Sequence, residues 1–259
     1  MTERMPLTRG RVLALIIGVP LVLAVIGWTA LTAVAFAGQG SYPVNLDVRA
    51  PGGTAGVSVD SADMTVVPGT AGHLRLTGTA HYSVVRSSVT WHRTRSGVTV
   101  TSRCRFPTGV CSADLTVAIP AGARALLSDG SGDMTLRGLT GPVTAGSGSG
   151  NIDGSGLSGP RVTLDSGSGD IAITGLTSLD VAASAGSGDI SLVFTKVPSR
   201  VRVSTSSGDV SVVLPRGPTL YRVSADTGSG NRSIGVPTSS ASTHVITVST
   251  GSGDISITN

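Results

Sequence analysis

Seven copies of a Ser-Gly-Asp/Asn turn place a carboxylate or amide at Asp133, Asn151, Asp170, Asp189, Asp209, Asn231 and Asp254, at intervals of 18, 19, 19, 20, 22 and 23 residues. If successive units stack, these side chains come within about 5 Å of one another. A column of like charges at that distance needs either a cation or hydrogen bonds to hold it. Asp and Asn also accept backbone N–H bonds in turns and tolerate left-handed geometry. Calcium-binding nonapeptide repeats come in consecutive short units, whereas here one turn falls in each 18 to 23 residues, so a turn role is expected and no metal site.

A second chemistry is carried by Arg86, Arg93, Arg95, Arg103 and Arg105, which fall within twenty residues that contain no acid. Outside a cell such a patch suits phosphate-rich polymers or anionic headgroups; the plainer reading is a solvated strand face. Arg124, Arg161, Arg200 and Arg222 share one outward repeat position and form a weaker basic stripe. Cys104 and Cys111 close the segment CRFPTGVC, with Pro107 and Gly109 to turn it. In an oxidising compartment the expectation is a structural disulfide, free thiols or half a metal site being the rivals. His73, His81, His92 and His244 are dispersed without metal-ligand spacing.

Other sites are disfavoured. Residues 154–159 match a dinucleotide-binding fingerprint letter for letter, but Pro160 and a strand follow where a phosphate-binding helix is required. No Gly-x-Ser-x-Gly elbow occurs. A glycosidase needs two placed carboxylates, yet Glu3 is the sole glutamate and nothing selects a pair of aspartates. Three of the 19 basic and one of the 15 acidic residues precede the apolar segment, leaving 16 and 14 downstream. That balance is no nucleic-acid signature. No catalytic residue and no cofactor are expected.

The elements that position the turns follow from the flanks. Eight and six residues before each turn residue stand pairs such as Val162/Leu164 and Val201/Val203; one and three after stand Ile171/Ile173 and Val210/Val212. This is period-two alternation on both sides of a glycine turn, so each unit reads as strand, turn, strand, loop. One such unit cannot bury its apolar face, whereas stacked units can. The serine before each turn glycine, as in Ser149 and Ser168, is expected to bond the neighbouring coil. Arg232 and Gly154 interrupt the inward pattern and mark looser coils. A degenerate copy over 57–66 starts the stack earlier. With aromatic residues at 3% and 36 glycines, the fold is all-β: a β-solenoid of about seven or more 18–23 residue coils.

Ahead of it, residues 12–37 lack charge and suffice to cross a bilayer as one helix. Arg4, Arg9 and Arg11 predict a cytoplasmic N-terminus and an extracytoplasmic bulk. The alternative is a signal peptide cut after Ala35-Phe36-Ala37, which makes the product secreted. The predicted organisation is thus a tail over 1–11, a membrane helix over 12–37, an irregular β region over 42–120 and regular repeats over 121–259.

The repeats Ser187-Gly188-Asp189-Ile190 and Ser207-Gly208-Asp209-Val210, with Leu115-Thr116-Val117-Ala118-Ile119-Pro120-Ala121-Gly122 leading into them, resemble the bacterial putative-adhesin family, a β-solenoid envelope domain of unknown function. The resemblance covers most of 50–259 and implies fold and location; the family offers no catalytic residues to carry over. The expected function is a non-enzymatic, membrane-anchored envelope module that binds an anionic cell-wall polymer or another envelope protein. The alternatives are a polysaccharide-acting β-helix enzyme and an accessory subunit of an envelope-stress system.

Overall fold

The computed structural model describes residues 39–259 apart from 51–52, 84–87, 94–96 and 104–110. The tail, the segment over 12–37, and Cys104 with its expected disulfide lie outside the described residues. No helix among the described residues is long and apolar enough to cross a membrane.

Strands β1 (Gln39–Arg49), β2 (Thr54–Val59), β3 (Asp63–Gly69), β4 (His73–Ser83), β5 (Ser88–Arg93), β6 (Gly97–Arg103) and β7 (Cys111–Pro120) come first. Seven strand pairs follow. They are β8 and β9 (Arg124–Asp129, Met134–Arg137), β10 and β11 (Val143–Ser147, Ile152–Ser155), β12 and β13 (Arg161–Ser166, Ile171–Leu176), and β14 and β15 (Asp180–Ser187, Ile190–Phe194). The last three are β16 and β17 (Arg200–Ser207, Val210–Val213), β18 and β19 (Arg222–Ser229, Arg232–Ile234), and β20 and β21 (Val245–Ser252, Ile255–Thr258).

The first strand of each pair joins a ten-stranded sheet and the second an eleven-stranded sheet, all in parallel register with the coils on either side. The two sheets bury their inner faces against each other. In β12 and β13, Val162, Leu164, Ile171 and Ile173 are buried while Arg161 and Asp165 are exposed. Each such aliphatic side chain contributes about 1.5–3 kcal/mol of gross transfer free energy, which a lone coil leaves in water.

The loop edge is closed by a Gly-Leu corner. Gly138, Gly156 and Gly175 take φ of 60, 65 and 65°, and the next residues, Leu139, Leu157 and Leu176, turn into the core. That left-handed conformation costs other residues about 1–2 kcal/mol.

Chain order and spatial order part at both ends. The stack runs β6/β7, β2/β3, β8/β9 and onward to β16/β17, then β20/β21 and finally β18/β19. The copy over 57–66 is thus a coil clasped between β6/β7 and β8/β9. At the other end β20 pairs with both β16 and β18, and β21 with both β17 and β19. Beyond β6/β7 the sheets continue as antiparallel strands, β5 on β6 and β4 then β1 on β7.

The two interruptions have different outcomes. Arg232 belongs to the outermost coil, where β19 is exposed throughout; its Nη1 donates to the Ala225 carbonyl at 3.0 Å, across to β18. A three-residue edge strand with a charge at its inward position blunts pairing by other chains. Gly154 does not loosen its coil, because the Ile173 side chain of the next coil reaches into its space: a Cβ there would meet Ile173 Cδ1 at 2.8 Å.

Candidate functional site

The turn residues form one continuous ladder. Oδ1 of each side chain accepts the backbone N–H of the corresponding residue one coil on: Asp63 from Asp133, Asp133 from Asn151, Asn151 from Asp170, and Asp170 from Asp189. It continues from Asp189 to Asp209, Asp209 to Asp254 and Asp254 to Asn231, with distances between 2.7 and 3.1 Å along the whole ladder. The backbone answers in the other direction: Ile171 N–H donates to the Asp189 carbonyl and Ile190 N–H to that of Asp209, each at 2.9 Å. The column's oxygens thus bond the neighbouring coil rather than their own turn, Asn231 at the end of the stack serving as donor, and Asp63 is a rung that the seven-copy motif did not include. Among the described residues no three His, Cys, Asp or Glu side chains are grouped so as to hold a metal ion.

Glycine is required beside the ladder by close approach. A Cβ on Gly150 would stand 1.8 Å from the Gly132 carbonyl oxygen, and one on Gly169 2.1 Å from that of Gly150. The serines before these glycines are exposed and do not fill the bonding role expected of them. A column four residues before the rung serves both its own turn and the neighbouring coil, Ser166 Oγ also donating to the Gly150 carbonyl at 3.3 Å. Ser147 Oγ accepts the Gly150 N–H at 2.8 Å and Ser166 Oγ that of Gly169 at 2.9 Å. Thr205 and Thr250 donate to the carbonyls of Gly188 and Gly208 at 3.1 and 3.0 Å. The signal was present as a third inward position, polar rather than apolar, in the alternation that ends each first strand except β14, where Ala185 stands.

In β8 that position is Asp129, 3% exposed. Its Oδ1 accepts the Ser131 N–H at 3.1 Å, and Oδ2 has no partner among the described residues. Burial pushes this carboxyl upward from the ordinary 3.8, and the surrounding N–H groups of Gly132, Ser131, Ala62 and Gly130 oppose that shift.

The predicted arginine patch is described only in part. Arg93 is exposed on β5 and its Nη2 donates to the Arg49 carbonyl at 3.2 Å. Arg103 ends β6, while Arg86, Arg95 and Arg105 lie outside the described residues. The histidines are not brought together. His73 meets Asp47 at 2.9 Å, and this bond, with that from Arg75, holds the Asp47 carboxyl below its ordinary value. His81 lies 3.6 Å from Asp114, His92 is exposed on β5, and His244 Nδ1 lies 2.8 Å from the Pro198 carbonyl oxygen. Arg124, Arg161, Arg200 and Arg222 do share one column, at the loop end of the ten-stranded sheet.

Two facing sheets, parallel through the stack, with one hydrogen-bonded turn per coil define a β-solenoid of the repeat-protein class. Residues 109–258 match the Toastrack DUF4097 family, and the chain belongs to it. Two solved structures are similar over most of the chain. A putative cell adhesion protein from Clostridium sporogenes ATCC 15579 shares 11% identity over 84% of this chain and 99% of its own, with a TM-score of 0.37. A putative adhesin from Bacteroides fragilis NCTC 9343 shares 14% identity over 84% and 97%, with a TM-score of 0.46. No curated protein matches.

Proposed function

We propose that the protein is a non-enzymatic, adhesin-like binding rod, anchored in the membrane by residues 12–37 and displayed outside the cytoplasm. The observation that carries this reading is the use of the repeats' polar groups. The turn carboxylates and amides are engaged as acceptors for the neighbouring coil, so the stack offers two long, regular outer faces rather than a converging constellation of acids and bases. Solenoids present extended surfaces of this kind to polymers and protein partners. The location rests on the arginines before the apolar segment and the length of that segment.

The test is cosedimentation of the full-length chain, in neutral detergent, with isolated cell walls, followed by assay of released reducing ends. Retention without release is expected. Release of reducing ends would replace this reading by a polysaccharide-acting β-helix enzyme. Absence of retention, together with a membrane protein that copurifies with the chain, would replace it by an accessory subunit of an envelope-stress system.

A further inference from the structure

The charges of the regular stack are sorted by edge. Counted from the turn residue of each coil, nine of the ten acidic side chains in 121–259 stand within five positions of the turn, Asp180 being the exception. Eight of the nine basic side chains stand seven or more positions before it or four or more after it, Arg232 at the capped end being the exception. The turn edge is therefore acidic and the loop edge basic, in a region whose net charge is close to zero. An anion approaching the loop edge meets the guanidinium groups while most of the carboxylates lie on the opposite side of the coil.

Along that edge the first outward position of the ten-stranded sheet reads, in spatial order, Arg124, Pro142, Arg161, Asp180, Arg200, Val245, Arg222. Arginine occupies every second strand, so the guanidinium stems repeat at about 9.6 Å, twice the strand spacing. Asp180 takes part in three ion pairs, 3.1 Å to Arg161, 3.8 Å to Arg200 and 3.9 Å to Arg202, which orients the fan and leaves it with excess positive charge. Arg124 has no ion-pair partner among the described residues. Between Arg124 and Arg161 lies a cleft of about 230 Å³ floored by Pro142 and bordered by Thr144 and Pro160. Pro142 has no N–H, so the charged donors lining the cleft are the two arginines, with the Thr144 hydroxyl beside them.

We propose that the loop edge is a binding track for a phosphodiester polymer, with its principal site in the cleft between Arg124 and Arg161. Arginine presents a planar fork of donors that matches phosphate oxygens two at a time, and eight of the nine basic residues of the stack are arginine. A linear ligand with regularly spaced charges fits a track whose donors recur along the stack, and each phosphate bound releases counterions. This inference rests on the envelope-binding reading above and names its ligand class.

The test uses the full-length chain in neutral detergent with poly(glycerol phosphate), polygalacturonate and dextran, measuring Kd across a salt series. Poly(glycerol phosphate) is expected to bind in preference to the others. The double variant Arg124→Ser, Arg161→Ser should weaken it at least tenfold at low salt and reduce the slope of log K against log salt by about two, one per arginine removed, with its melting temperature unchanged. Asp180→Ser should tighten binding several-fold, because it releases three guanidinium groups.

Equal binding by the double variant would overturn the track while leaving the envelope-binding rod in place. Preference for polygalacturonate would overturn the phosphodiester class. Salt-sensitive self-association abolished by the same variants, without polymer binding, would replace the polymer with the acidic turn edge of a second copy. Failure to bind any of the polymers or isolated walls would overturn both this inference and the reading on which it rests.

Discussion

The turn edge joins the two strands of one coil, the loop edge carries the chain on to another coil, and the two are built on opposite terms. At the turn edge backbone meets backbone: the Gly132 carbonyl leaves no room for a Cβ on Gly150, and every rung but the terminal Asn231 takes an N–H from the next coil. Length there is fixed. At the loop edge a buried apolar side chain such as Leu157 closes the corner and the connection varies, from three residues between β13 and β14 to ten between β19 and β20. One edge holds the stack in register, whereas the other is free to change length and carry charge. A repeat protein can therefore vary its binding surface without disturbing its stacking, provided that the two tasks stay on different edges.

This contrast is sharpened most strongly by adding one carbon to each edge. Gly150→Ala should cost about 3 kcal/mol in urea denaturation, because rigid backbone occupies the space. Gly156→Ala, which faces only a left-handed φ of 65°, should cost about 1–2 kcal/mol. Equal losses would show that the two edges share the burden of register.

The next effect concerns the ladder itself. Asp189→Ala removes the acceptor of the Asp209 N–H and should cost about 1 kcal/mol, while Asp189→Asn should be close to neutral, since Asn151 already serves as a rung. Loss of stability in Asp189→Asn that is restored to the native protein by calcium would instead make the column a cation site.

Asp129 gives a pH-dependent test of the same edge. Its folded-state value lies above the unfolded 3.8, so the folded protein binds its proton more tightly. The associated stability is fully present below 3.8 and is lost as pH rises through the folded value. Asp129→Ser, which copies Ser147 and Ser166 in the same column, should raise stability by about 1 kcal/mol at pH 7 and flatten that slope, as read from denaturation midpoints between pH 3 and 8. The smallest effect belongs to the loop edge: Arg124→Ser should move stability by less than about 0.5 kcal/mol, as expected for an exposed side chain.

Much of the stack is legible in the residues. The alternation around Asp170 and Asp189 marks both strands, the inward face and the tight turn, because period two admits only one assignment once a face must be buried. The turn position of the aspartates is legible too, whereas their bonds to the next coil, expected of the serines, are not. The hydroxyl column at Ser147, Ser166 and Thr205 was equally available, but an inward polar residue reads as the end of a strand until the glycine backbone it satisfies is in place. Coil order was not available at all. Every coil presents nearly the same faces above and below, so the pattern specifies how coils align and leaves open which coil is next to which. That choice is made at the ends, by Arg232 on one side and by antiparallel β1, β4 and β5 on the other. The sorting of charge is visible only after every residue is counted from its own turn.

The inverted order of the last two coils has a consequence for biosynthesis. A chain made from its N-terminus adds units in the order 200–213, 222–234, 245–258, but the finished stack requires the third of these to lie between the other two. Residues 222–234 therefore emerge before the coil they pair with exists and must wait in the open, or rest provisionally on β16 and β17 and then be displaced. Assembly of this end cannot proceed by simple addition. It is a closing step that depends on synthesis having passed residue 258, so a nascent chain halted before that point carries an unfinished end whose β16 and β17 edges are available to other chains.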